Sequence, residues 1–286
     1  MGEGASIARR RLGAWELGRE IGRGAATVVY QARPAGSAAG SDYAVKVLAP
    51  AFEHDRLAKG LLQREAFVAR QVTHPHLTTV LASELDAAPP YLVTPYYAGA
   101  TLAATLASAD RLPTPHALWM VRQVSEAVAA LHAAGWLHLD INAANIQIAP
   151  TGHATLLDLG LARRIAPDAT AGEALAGTPT CMAPELFQGH LRLTPAVDVY
   201  SLGVVIYQLL VGTLPFEDDD PLLLVAAHVE TPPPALRQRL PHVPTRLARL
   251  VRRMLAKEPL RRPATDELIA ALADLEIETF AERLVA

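Results

Sequence analysis

The sequence predicts an α+β protein of two lobes, a small β-rich lobe followed by a larger α-helical one. Residues 14–48 alternate β-branched and aromatic residues between glycines, as short strands do. From about residue 101 apolar residues recur at helical spacing instead. The chain has 286 residues, enough for a sizeable core shared by lobes of roughly 100 to 200 residues. The expected boundaries are an N-terminal extension at 1–13, a first lobe at 14–97 and a second at 98–286, joined near TPYYAGA (94–100) into one domain.

The elements follow in order. WELGREIG, TVVYQARP and DYAVKVL read as three strands, with PAGSAAGS (34–41) a flexible turn between the last two. LAKGLLQREAFVARQV (57–72) sets Leu61, Glu65, Val68 and Val72 at helical spacing, so Glu65 lies on or beside an apolar face, where a carboxylate needs a partner. HPHLTTV and PYLVTPYY read as two more strands. Leu118, Val121, Val124, Val128 and Leu131 mark a helix ending near Gly135. Short strands flank a turn in NIQIAPTGHATLL (145–157), an irregular segment covers 162–181, and helices fill most of 184–284.

Composition narrows the function. Hydrophobic residues make up 51% and charged residues 19%, and apolar periodicity runs almost end to end, so the chain is globular. A net charge of -3 gives no global basic field for nucleic acid, and a protein or small-molecule partner is the better expectation. The single cysteine, Cys181, and an N-terminus without an apolar signal core point to a cytoplasmic setting. The most apolar stretch, LGVVIYQLLVGTLPF (202–216), is broken by Gln208, Gly212 and Thr213 and is shorter than the roughly 18 to 20 residues that span a bilayer, so it reads as a buried core helix.

Several short motifs carry chemistry. IGRGAATVVYQA (21–32) places a Gly-x-Gly between two strands, a turn whose backbone can close over phosphate without interference from Cβ atoms. A strand follows it, which argues against a dinucleotide fold. Lys46 lies mid-strand in AVK, and a helical Glu65 facing it would neutralise the ammonium while leaving it able to hold nucleotide phosphates. In HLDINAAN (138–145) and LLDLGLA (156–162), Asp140 is suited to accept a hydroxyl proton, and Asn145 and Asp158 offer hard oxygens to a Mg²⁺ that carries ATP phosphates.

With GTPTCMAPEL (177–186) and DVYSLGVVIYQLLVGTLPF (198–216) the series is complete: over about residues 14–273 the chain resembles eukaryotic-like serine/threonine protein kinases of the bacterial type. The resemblance implies a bilobal protein kinase-like fold, ATP and Mg²⁺ as cofactors, and a protein substrate or regulated partner protein. It implies a phosphate-covering loop with Gly22 and Gly24, and an adenine pocket with Ile21, Val29 and Ala44. Lys46 and Glu65 become its ion pair, Thr94 its gatekeeper, and the Pro95 carbonyl and Tyr97 amide its hinge groups. His138, Asp140 and Asn145 match the catalytic loop, and Asp158, Leu159 and Gly160 the magnesium triplet. Thr178 matches the threonine that shapes the hydroxyl-substrate site. Glu185, Arg262 and Asp198 match framework positions, Asp198 being the residue that holds the loop's backbone.

Five positions depart from the pattern. Thr27 replaces the third glycine and Leu159 the usual Phe. Leu139 replaces the Arg beside the catalytic Asp, removing the guanidinium that would clamp a phosphorylated activation segment. Gln147 stands where an apolar residue underlies adenine, and an orphaned buried amide costs roughly 1 to 3 kcal/mol. Asn142 replaces the Lys that reaches the transferred phosphoryl group, and Ala144 supplies no substitute cation; losing such a donor costs about 10² to 10³ in rate. The expectation is therefore a slow or atypical kinase. The alternatives are a pseudokinase acting as a nucleotide-binding or interaction module, and a small-molecule phosphotransferase, whose catalytic loops HLDINAAN also resembles.

Other motifs read more plainly. HPH (74–76) is expected to cap a loop, FEDDDP (216–221) to form a solvated acidic turn, TPPPALRQRLPHVP (231–244) an extended surface loop, and Cys181 a buried inert thiol.

Overall fold

A computed structural model describes residues 10–37, 40, 42–166, 177–189 and 192–280. Residues 1–9 of the expected extension (1–13) and half of the irregular segment (162–181), residues 167–176, lie outside them; the rest of the extension is no loose tail, since Arg10–Leu12 pairs with Trp15–Leu17 as a strand. The chain divides into two compact units, one of residues up to Arg70 with Thr79–Tyr97, the other of Gln71–Thr78 with everything from Ala98 onward.

The first unit is an antiparallel sheet of β1 (Arg10–Leu12), β2 (Trp15–Arg23), β3 (Thr27–Pro34), β4 (Tyr43–Leu48), β5 (Ala82–Glu84) and β6 (Tyr91–Pro95), in the order β1-β2-β3-β4-β6-β5. Its period of two sorts the side chains. Val28, Val45, Val47 and Val93 go to one face, packed with Leu17, Ala32 and Tyr91. The register pairs Gly22 with Val29, Val29 with Lys46 and Ala44 with Thr94, so these five positions share the opposite face. A register shift between Glu20 and Gly22 makes Ile21 the extra residue of a bulge.

Helix α1 (Arg56–Ala69) starts at Asp55, whose Oδ1 accepts from Leu57 N (2.8 Å) and Ala58 N (2.9 Å). It buries Ala58, Leu62, Glu65, Ala66, Val68 and Ala69, and leaves Leu61 exposed. The apolar stripe thus runs through Leu62 rather than the expected Leu61, one position round the helix, while Glu65 is buried on it.

HPHLTTV is not a strand of this sheet, contrary to expectation. Its first five residues, His74–Thr78, belong to the second unit and use their backbone there: Thr78 N donates to Leu156 O and Leu156 N to His76 O, both at 2.8 Å. The ring of His76 meets Ala154 O at 2.8 Å, and His76 N donates to His74 Nδ1. Pro75 has no N–H to offer a ladder. The fifth strand of the first sheet forms later, at Ala82–Glu84.

In the second unit come β7 (Ala100–Thr101), α2 (Leu102–Ser108), α3 (Thr114–Ala133), β8 (Trp136–Leu137), β9 (Ile146–Ile148), β10 (Ala154–Leu156) and β11 (Arg163–Arg164). They are followed by α4 (Pro184–Phe187), α5 (Ala196–Val211), α6 (Pro221–Glu230), α7 (Leu236–Arg239), α8 (Thr245–Met254) and α9 (Thr265–Glu278). All five apolar positions that predict α3 are buried. Helix α5 is apolar on every side and packs against α3, α7 and α8, as a helix hydrophobic all round must. It ends at Gly212 (φ 89°), whose left-handed backbone suits glycine. TPPPALRQRLPHVP is not wholly extended, because Leu236 is buried and nucleates α7. In FEDDDP Phe216 is buried, and the acidic residues after it form an exposed turn in which Asp220 caps α6. No helix among the described residues is long and apolar enough to cross a membrane.

Two buried polar groups in this unit bear on its stability. The Arg262 guanidinium uses all five N–H donors: both nitrogens of its fork on Glu185 (2.6 and 2.8 Å), with Ala196 O, Ala256 O and Lys257 O taking the rest. A buried pair so fully satisfied is costly to break from either side. On α6, His228 is fully buried with Nδ1 2.9 Å from the Tyr200 hydroxyl. Burial, then the Lys257 ammonium, pushes its pKa down to about 4. The unfolded chain takes up this proton below about pH 6.5, whereas the folded one does not until near pH 4, so stability should fall as pH drops through that window. In His228→Gln, Tm measured from pH 7 to pH 4 should decline less steeply than in the wild type; parallel curves would refute the assignment.

Candidate active site

Each unit assembles one part of the predicted machinery. In the first, Lys46 Nζ lies 2.6 Å from Glu65 Oε2, with side chains 15% and 5% exposed. The strand sets Lys46 on the face away from the apolar cluster, and α1 carries Glu65 inward to meet it. On the same face, Gly22 and Val29 are partly covered and Ala44 is buried. Gly24 N donates to Thr27 O at 2.9 Å, closing the turn after β2, and a Cβ on Gly24 would crowd Thr27 Oγ1 at 3.2 Å. Ile21 is 37% exposed on its bulge. Thr94 Oγ1 donates to Pro95 O at 3.2 Å, and the Tyr97 hydroxyl accepts from Thr79 N at 3.1 Å.

The second unit holds the loop HLDINAAN. It leaves β8 and is gripped by Asp198 in the first turn of α5: Oδ2 accepts from His138 N and Oδ1 from Leu139 N, both at 2.9 Å. Asp198 is fully buried. Burial alone would raise its pKa; the His132 hydrogen bond and charge, helped by His138, more than reverse this and hold it below the usual carboxylate range. His132 Nε2 is 2.8 Å from Asp198 Oδ2 and its Nδ1 2.9 Å from Thr265 Oγ1. A carboxylate only accepts, so Nε2 carries the proton. This histidine escaped sequence reasoning, for it sits among alanines near the end of α3 and its partner is 66 residues away.

His138 joins the loop to the strand that delivers Asp158. Its Nδ1 accepts from Asp140 N (3.2 Å), and its Nε2 donates to Leu157 O (3.1 Å). Leu139 adopts φ 69° and is nevertheless buried, as apolar side chains are. Asp158 has φ 60° and accepts from Gly160 N at 3.1 Å. Leu159 is completely buried, so this replacement for Phe still packs.

Four donors surround the Asp140 carboxylate. Oδ1 accepts from Asn142 Nδ2 (3.1 Å), Thr178 N (3.0 Å) and Thr178 Oγ1 (2.8 Å), while among the described residues Oδ2 accepts only from Asn145 Nδ2 (2.7 Å). Gly177 precedes Thr178 at φ 135°, where a Cβ would come within 3.3 Å of Leu139 O. That glycine lets the segment press against the loop.

Asn142 is more committed than its sequence position suggests. Its Oδ1 accepts from Ala144 N (2.9 Å) and Asn145 N (3.2 Å), capping the 3₁₀ turn Ala143–Asn145. Its amide protons point to Asp140 O, Asp140 Oδ1 and Thr178 Oγ1. Both ends of the side chain work inside the loop. Gln147 is half-buried on β9, paired across the backbone with Thr155 and Thr101. It is partly open to water, so the full penalty of a buried orphan amide is not incurred here.

Asn145 and Asp158 fit a magnesium ion by the chemistry of their donors. Asn145 gives its Nδ2 to Asp140, which leaves Oδ1 as ligand, and Asp158 adds a carboxylate. Among the described residues no group of three or more His, Cys, Asp or Glu could hold a metal alone. Two protein oxygens suit Mg²⁺, which keeps waters and takes substrate phosphates. Cys181 is buried and its thiol is pushed up to about 12, chiefly by burial, so it is protonated and unreactive.

Residues 15–272 match the family described as protein kinase domain. The chain is 34% identical over 257 residues to the serine/threonine-protein kinase PknA of Mycobacterium tuberculosis, covering 87% of this chain and 58% of that one. It is 34% identical over 251 residues to PknK of Mycobacterium bovis (86% and 22%) and 33% identical over 257 residues to PknB of Mycobacterium leprae (88% and 41%). The chain therefore spans well under two thirds of the length of these relatives.

Removing the Asp198 charge tests the loop's anchor. In Asp198→Asn one amide end must face an N–H that now lacks an acceptor, so urea unfolding should show a loss of about 2 to 3 kcal/mol. Amide exchange of His138 and Leu139 should rise with it; unchanged exchange there would show that the loop is held by something else.

Proposed function

The chain belongs to the eukaryotic-like serine/threonine protein kinases, and we propose that it transfers the γ-phosphoryl group of ATP to serine or threonine hydroxyls of proteins, at a slow rate. The observation that carries this reading is the wiring of Asp140, oriented by Asn142, Asn145 and Thr178, with Oδ2 the less engaged oxygen. A substrate hydroxyl donates to Oδ2 and gives it its proton as the oxygen bonds to the phosphoryl group and the bond to ADP breaks. Lys46, held by Glu65, binds nucleotide phosphates; Ile21, Gly22, Gly24, Val29, Ala44, Thr94, Pro95, Tyr97 and Gln147 are the proposed nucleotide-contact set. Asn145 and Asp158 hold Mg²⁺, which when bound neutralises charge on the phosphates.

Slowness follows from Asn142. Its amide is neutral and its protons serve Asp140 and Thr178, so the loop offers no cation to the charge that develops on the phosphoryl oxygens. Such a loss costs about 10² to 10³ in rate. The same observation favours a second reading, a pseudokinase that binds nucleotide and regulates a partner. Leu139 in place of arginine further supports activity that does not depend on phosphorylation of the activation segment.

Transfer from γ-labelled ATP with Mg²⁺ to the chain itself and to a panel of proteins separates these readings. Wild type should incorporate label slowly into serine and threonine, and Asp140→Asn should lower the rate at least about 10²-fold. Lys46→Met should abolish the thermal shift produced by Mg²⁺ and ATP. A nucleotide shift in wild type with no transfer, restored by Asn142→Lys, would favour the pseudokinase.

A further inference from the structure

Helix α8 carries four arginines, and they divide by face. Arg246 pairs with Asp274 (3.2 Å) and Glu278 (3.4 Å), and Arg253 with Glu267 (2.6 Å), all on α9. Arg249 and Arg252, three residues apart on another side of the helix, are exposed and make no hydrogen bond or ion pair among the described residues. Arg237 of α7 is exposed too, and its guanidinium meets only the neutral oxygens Thr245 Oγ1 (3.2 Å) and Pro241 O (3.3 Å).

These three cations edge one cavity of about 340 Å³ between the segment 233–237 and α8. Its floor is apolar, with Leu236, Val251 and Leu255. The volume falls within the range that encloses a bound ligand group, roughly 300 to 1,000 Å³. In a chain of net charge -3, three uncompensated guanidinium groups around an apolar hollow form a local positive field against the overall balance. None of the lining residues belongs to the catalytic loop or its supports.

We propose that this groove binds an acidic peptide segment of a protein partner, with one apolar side chain in the hollow and flanking carboxylates on Arg237, Arg249 and Arg252. Charge complementarity selects the occupant: guanidinium groups pair with carboxylates in bidentate fashion, and the apolar floor demands a side chain that a simple anion lacks. The acid-paired arginines of the same helix show the chemistry, since Arg253 holds Glu267 with both terminal nitrogens, at 2.6 and 3.2 Å. The site concerns recognition alone and does not depend on phosphoryl transfer.

Fluorescence anisotropy on the full chain tests this with a short labelled peptide that has a central leucine between aspartates and glutamates. Saturable binding that weakens with salt is expected. Twins with lysine for every acid, or glycine for the leucine, should bind at least about tenfold more weakly. Arg249→Glu with Arg252→Glu should weaken the acidic peptide and favour the lysine twin, and Ala248→Trp should weaken binding by filling the hollow without altering charge. Thermal melts identify any variant that has lost its fold, and the three peptides compared on wild type decide the question even if every variant unfolds. No binding of the acidic peptide, equal binding of the glycine twin, or binding indifferent to the arginine pair would overturn the proposal. Self-association of the chain that competes with the peptide would make a second copy the occupant and overturn it as well.

Discussion

A single buried carboxylate organises the loop HLDINAAN. Asp198 has no exposure, yet it accepts from two consecutive backbone N–H groups and from His132. Successive N–H groups can converge on one carboxylate only where the backbone turns, and Leu139 at φ 69° supplies the turn. A leucine in that region is strained by about 1 to 3 kcal/mol, so the surroundings must over-determine it. Burial of its side chain and the Asp198 hydrogen bond do so together. Once Leu139 is bent, Asp140 is delivered to Thr178 and Asn145, and His138 ties the same bend to Leu157 next to Asp158.

How much of this was legible in the sequence depends on distance along the chain. Period-two alternation located the strand Thr27–Pro34 to the residue, and helical spacing found α3. The Lys46 and Glu65 pair was legible because each was anomalous in its own element, a cation in an apolar strand and a carboxylate on an apolar helix face. HPHLTTV misled because its β-like composition is satisfied by Leu156 and Ala154, on β10. Leu61 and Leu62 are adjacent leucines, and local spacing cannot decide which of the two turns inward. His132 and the helix at Leu236–Arg239 left no local trace, since both exist through partners remote in sequence.

Asn142 illustrates a residue whose type was legible and whose work was not. By type it is a missing lysine, and the consequence drawn from type is a missing charge. By structure it closes a circuit: its carbonyl caps the turn that presents Asn145, and its amide donates to Thr178, whose hydroxyl in turn donates to Asp140. A lysine could reach Asp140 and Thr178 as a donor, but it has no acceptor for Ala144 N and Asn145 N, and such a cap contributes about 1 kcal/mol. In the proposed reading the asparagine therefore gives up transition-state charge and gains ground-state order in the loop.

That exchange agrees with the other departures. Leu139 is buried where an arginine would reach for a phosphorylated segment, and Gly177 and Thr178 already contact Asp140 through unmodified backbone and hydroxyl. A loop that leans on phosphate must wait for that charge to arrive before it orders. Here the donors on Asp140 are the neutral groups of Asn142, Asn145 and Thr178, so the fold itself orders that carboxylate. The physical consequence is that the Asp140 carboxylate is oriented by neutral donors, whose hydrogen bonds salt screens far less than it screens an ion pair.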